Sequence, residues 1–94
     1  LILIAAQQKP HDAYIIDSLG WAYYLLGEFS NSIQILERAV SLSPNDATLN
    51  DHLGDAYWKV GRTREAISQW KRVLIFDPKF KRKDEIQRKI VSGI

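Results

Sequence analysis

Asp51 and Asp55 stand four residues apart with His52 between them, and Asp17 precedes Asp51 by 34 residues. On a helix that spacing puts both carboxylates on one face. Paired carboxylates beside an imidazole can pass protons as acid and base, or hold a hard cation. The rest of the sequence supplies no setting for either chemistry. No second histidine lies at ligand spacing, no glycine-rich phosphate loop or Walker pattern occurs, and no serine sits in a recognisable nucleophile motif. Acidic residues on an exposed helix are ordinarily just solvated. The expectation is therefore no catalytic residue, no metal site, no cofactor and no enzymatic activity.

Composition narrows the class. The 94 residues make one small domain, with room for a modest core. Cysteine is absent, which removes disulfides, thiolate zinc sites and thiol catalysis and leaves cytosol and periplasm equally open. No segment is apolar for the length of a membrane helix, so a soluble chain is expected. The net charge is only +2, but it is unevenly spread. Up to residue 58 two Lys and Arg stand against seven Asp and Glu, and from Lys59 onward eleven stand against four. An acidic body with a basic end can steer partners of opposite charge to different places, and it is also what solvated helix faces look like.

Any site must be positioned by the elements around it, and those are set by a repeat. Pro10, Pro44 and Pro78 are spaced by 34 residues. Sliding residues 10–43 onto 44–77 superposes Asp12 on Asp46, Asp17 on Asp51, Leu19 and Gly20 on Leu53 and Gly54, Tyr23 on Tyr57, and Gly27 on Gly61. Such periodicity marks units that bury their apolar faces by stacking on one another. Within each period, apolar residues recur at helical spacing. One helix is predicted from Ala13 to Leu26, capped by Asp12 and ended by Gly27, and a second from Ser30 to Leu42. The pair recurs from Ala47 to Val60 after Asp46, and after Thr63 as its cap to Asp77. No strand competes. Gly20 and Gly54 fall in mid-helix, where glycine costs about 1 kcal/mol against alanine, so close approach of a facing helix is expected there. Tyr23, Tyr57 and Trp70 are expected in the core. Asn50, where the first unit has Ile16, needs polar partners if it is buried. Beyond Pro78 a polar helix with Ile86, Ile90 and Val91 on one edge reads as a terminal cap.

Leu19, Gly20, Tyr23, Gly27, Ser32, Leu36, Ala39 and Pro44, followed by Leu53, Gly54, Tyr57, Gly61, Ala66, Trp70, Val73 and Pro78, resemble the tetratricopeptide repeat. Ile16 and Asn50 stand where that pattern often has Trp, Ser32 where a small apolar residue is usual, and Val73 where Ala is usual. DSLGWAYYLLG and NDHLGDAYWKVGR are similar to bacterial multi-repeat members. The resemblance implies an all-α, right-handed α-solenoid of antiparallel helix hairpins: residues 1–9 the second helix of a truncated unit, 10–43 unit one, 44–77 unit two, and 78–94 a capping helix.

The resemblance also implies a non-catalytic scaffold that binds a protein or peptide segment in a concave groove lined by the first helix of each unit. By register the groove takes Tyr14, Asp17, Ser18, Trp21, Tyr24 and Leu25 from unit one. From unit two it takes Thr48, Asp51, His52, Asp55, Trp58 and Lys59. Trp21, Tyr24 and Trp58 are of the type enriched at binding hot spots and would anchor apolar or aromatic side chains, while the aspartates would favour a Lys- or Arg-bearing, basic segment. Asp17 and Trp21 stand where relatives that capture a C-terminal carboxylate carry Lys and Asn, so that mode is not expected. The bland alternative packs these aromatics against neighbouring units. The alternative function is binding of nucleic acid or an anionic surface through Lys79, Lys81, Arg82, Lys83, Arg88 and Lys89, with Phe80 among them. Nucleic acid ranks below protein because the acidic body repels a long polyanion. Self-association through the apolar stub at Ile2, Leu3 and Ile4 is a further expectation.

Overall fold

The structure, a computed structural model, describes residues 12–94. The half unit expected over residues 1–9, its stub Ile2 to Ile4, and Pro10 lie outside them. Five helices follow one another: α1 (Ala13–Leu25), α2 (Phe29–Leu42), α3 (Ala47–Lys59), α4 (Thr63–Phe76) and α5 (Lys83–Ser92). No strand occurs among the described residues. Helices α1 and α2 pack as one hairpin, α3 and α4 as another, α2 lies against α3, and α5 closes on α4. The fold is an all-α helical-hairpin solenoid.

Local chemistry explains the boundaries. Asp12 Oδ1 accepts the amides of Tyr14 and Ile15 at 3.0 and 3.1 Å, and Asp46 Oδ1 accepts that of Leu49 at 3.0 Å. Both first helices end alike. The Glu28 amide reaches back to the Tyr23 carbonyl and the Gly27 amide to Tyr24, while Arg62 and Gly61 repeat this with Tyr57 and Trp58. This double closure needs a left-handed residue, supplied by Gly27 at φ 78° and Gly61 at φ 82°. Thr63 does not cap α4 as the sequence suggested. It is the first helical residue, and the Arg62 guanidinium bonds Glu65 in the first turn instead.

The core also accounts for departures from the repeat pattern. Leu36, Ala39, Leu49, Ala56, Ala66, Trp70, Val73 and Ile86 are fully enclosed, and Tyr57 is buried while Tyr23 is only half-buried. The Ser32 hydroxyl donates to the Gly20 carbonyl at 2.7 Å, so a serine fits where unit two has Ala66. Asn50 is buried and fully engaged: its amide donates to the carbonyls of Pro44 and Asp46, and its oxygen accepts from Arg72 Nε. It ties the loop between the hairpins to α4, a task that Ile16 cannot perform in unit one. On α5 the inward face is Ile86, Lys89, Ile90 and Gly93, at i, i+3, i+4 and i+7, so Val91 points outward and is 86% exposed.

Candidate functional site

Trp21 and Tyr24 lie one turn apart on α1, and their rings stack at 4.3 Å with an interplanar angle of 7°. His52 from α3 stacks on Trp21 at 4.1 Å, and Phe29, at the start of α2, meets Tyr24 edge-on at 5.5 Å. The result is a ladder of four rings drawn from three helices. Asp17, one turn before Trp21, anchors its far end. Its carboxylate accepts from His52 Nδ1 at 2.8 and 3.0 Å, so that nitrogen carries a proton. Both faces of Trp21 are therefore covered, and what this half-buried ring leaves to solvent is its edge.

The aspartates of unit two have a different surrounding from the open groove expected of them. Asp51 and Asp55 are buried under α5. Lys89 Nζ lies 3.0 Å from Asp51 Oδ1 and 2.9 Å from Asp55 Oδ1, Arg82 approaches Asp51 Oδ2 at 3.0 Å, and Trp70 Nε1 donates to Asp55 at 3.1 Å. His52 turns to Asp17 instead, so Asp51, His52 and Asp55 do not converge. Three carboxylates that were to select a basic partner are thus engaged inside the chain, because the first helices of successive units lie side by side and their polar positions pair. The sequence carried a sign of it. Lys89 follows Asp55 by one period of 34 residues, in the register that meets it.

Burial and the neighbouring Asp51 raise the pKa of Asp55 against the pull of Lys89 and Trp70. Burial alone would lower Lys89, but Asp51 and Asp55 outweigh it and the net shift is upward. Tyr57 is also raised, by burial first and then by its hydrogen bond to Glu37 at 2.5 Å. A lysine or phenol raised on folding contributes stability that is complete below its unfolded value and is lost as pH rises through its folded value. Those ordinary values are 10.5 and 10.0. Urea midpoints should therefore hold steady from neutral pH to about 9.5 and fall above about 10. The fall should be shallower in Tyr57→Phe, which has no phenol proton to lose. A midpoint that is level through pH 11 would contradict the coupling.

The remaining predicted positions divide. Trp58 is half-buried, tilted over Trp70 at 5.8 Å, and Gly93 at the end of α5 presses on its six-membered ring, so it is not an open anchor. Tyr14 is exposed, its hydroxyl donating to Asp46 at 2.7 Å; Ser18, Leu25 and Lys59 are exposed and Thr48 is half-buried. Of the basic end, Lys79, Lys81, Lys83 and Arg88 are exposed. Lys89 is buried, Arg82 pairs with Asp51, and Phe80 packs on the core beneath the Arg82 guanidinium, so this ring is not free to stack a base. Among the described residues no three His, Asp or Glu side chains cluster to hold a metal, and no helix is long and apolar enough to cross a membrane.

A family model described as TPR repeat matches residues 20–61, from the middle of α1 to the glycine that ends the α3 turn. Over these residues the chain is similar to TPR repeats, which supports a TPR-family protein. TPR repeats generally mediate protein–protein interaction, and the family is typically a non-catalytic scaffold. No match was found among curated proteins. Helix α5 packs on α4 and lays Lys89 and Gly93 against α3, which is how Lys89 reaches the aspartates of the preceding unit.

Proposed function

We propose that this chain is a non-catalytic interaction scaffold that binds an apolar and aromatic protein segment along α1, against the ladder of Trp21, Tyr24 and His52. The observation that carries the reading is the ladder itself: large rings, half-buried, held rigid by one another and by the Asp17–His52 bond. Rigid aromatics lose little freedom on binding and are favoured anchors. Ring edges carry partial positive charge, so they suit aromatic faces, carbonyl oxygens and aliphatic groups better than ammonium groups. With Asp17, Asp51 and Asp55 paired internally, little unbalanced negative charge is left to select a basic segment. The partner preference is therefore apolar and aromatic in place of basic.

Panning a random peptide library displayed on phage against the immobilised chain tests this. Enriched peptides should carry aromatic or branched aliphatic residues. Trp21→Ala or Tyr24→Ala should weaken their binding by at least about tenfold, mostly through faster dissociation, while Gln34→Ala on the outer face of α2 changes nothing. Peptides that bind equally to the α1 variants, or that are lost with Gln34→Ala, would move the working surface to the convex side.

A further inference from the structure

Two shallow depressions on the outer helices are related by the repeat. In the first, Ile33 and Glu37 of α2 form a wall that Val60 and Arg62, from the turn after α3, fill out. In the second, Ile67 and Lys71 of α4 stand at the same two positions, flanked by Arg64 and Ile75. No later segment among the described residues lines it. The charge is also inverted, with Lys71 where Glu37 stands and Arg64 in place of Ser30. If the first depression suits an aliphatic side chain and a cation two residues on, the second suits an aliphatic side chain and a carboxylate two residues on.

The chain itself carries that combination. Leu26, Gly27 and Glu28 are the repeat equivalents of Val60, Gly61 and Arg62, in the same left-handed turn. Leu26 is 72% exposed and its neighbour Leu25 is 70% exposed. Among the described residues the Glu28 carboxylate accepts from the exposed Asn31 amide, at 3.2 Å. The wider charge pattern agrees, since acids dominate up to residue 58 and bases after it.

We propose that the α4 face receives the α1–α2 turn of a second copy, Leu26 against Ile67 and Ile75 and Glu28 against Lys71 and Arg64, in a head-to-tail contact. The two surfaces differ, so each contact leaves one of them free on either copy and further copies add head to tail, as a ring or an open series. A turn on one helix face buries less area than a stable interface, and its charges are exposed, so the association is weak and salt-sensitive.

Sedimentation velocity over rising concentration, at low and at high salt, reads it out. The wild-type chain should sediment faster as concentration rises at low salt and revert toward monomer at high salt. Lys71→Glu and Glu28→Lys, both exposed and expected to keep their helical circular dichroism, should each weaken association by at least about tenfold. Mixing the two variants should restore it, because each altered face then meets a complementary one. A monomer at every concentration in low salt, association that survives either reversal, or a mixture that stays dissociated would overturn the proposal.

Discussion

Lys89→Ala should destabilise the chain by about 3–5 kcal/mol, the loss typical of removing one partner from a buried ion pair. The substitution leaves Asp51 and Asp55 enclosed together with only Arg82 nearby, and Arg82 reaches Asp51 alone. Asp55 would then sit beside a like charge in a site whose burial already disfavours its ionised form. The response should be specific. Asp55→Asn, which can still accept from Trp70 Nε1, should cost less than Asp55→Ala, which strands that buried donor as well. Urea unfolding of the three variants gives the order, and emission from Trp58 and Trp70 reports the loosening of α5, since Gly93 and Lys89 both lie against those rings. A loss below about 1 kcal/mol for Lys89→Ala would mean that α5 is held by Ile86 and its apolar neighbours alone, with the charges incidental.

How much of this was legible beforehand depends on what kind of signal each feature leaves. Helix ends were readable because Asp12, Asp46, Gly27 and Gly61 act on their own backbone within a few residues, and local geometry suffices to assign them. Thr63 misled because a hydroxyl before an apolar run suits a cap equally well, and the choice fell to the bidentate Arg62–Glu65 pair. The ring ladder was partly readable. Trp21 and Tyr24 were placed on one face, but their stacking with His52 depends on the angle between α1 and α3, which no residue spacing encodes. The aspartates were misjudged for the same reason. Amphipathic spacing says which side of a helix is apolar, and it cannot say that Asp51 and Asp55 face a later helix that brings its own cation. Buried polar pairs appear only when two positions far apart in the chain are considered together, as the 34-residue register of Asp55 and Lys89 would have allowed.

The two central glycines separate what the repeat pattern alone would equate. A β-carbon at Gly54 would lie 2.5 Å from Trp70 Nε1 and 2.7 Å from its Cδ1; one at Gly20 would lie 2.7 Å from Leu36 Cδ2 and Cγ. Alanine gains about 1 kcal/mol of helix propensity at either place, so the outcome turns on whether the neighbour can yield. Leu36 is enclosed as well and is met at its Cγ, but a branched aliphatic side chain held by no hydrogen bond can relieve part of the clash by turning about its own torsions. Trp70 has less freedom, because it is a rigid, equally enclosed indole with Nε1 held by Asp55 and its ring beside Trp58. Gly20→Ala should therefore lose about 1 kcal/mol, while Gly54→Ala loses about 2 kcal/mol or more through overpacking. The second variant should also shift tryptophan emission, since the indole must leave its carboxylate to make room. Paired urea titrations followed by fluorescence decide it. If both variants lose the same amount, the tight seam is a general demand of the repeat, and the Asp55–Trp70 bond, unique to unit two, contributes nothing to its rigidity.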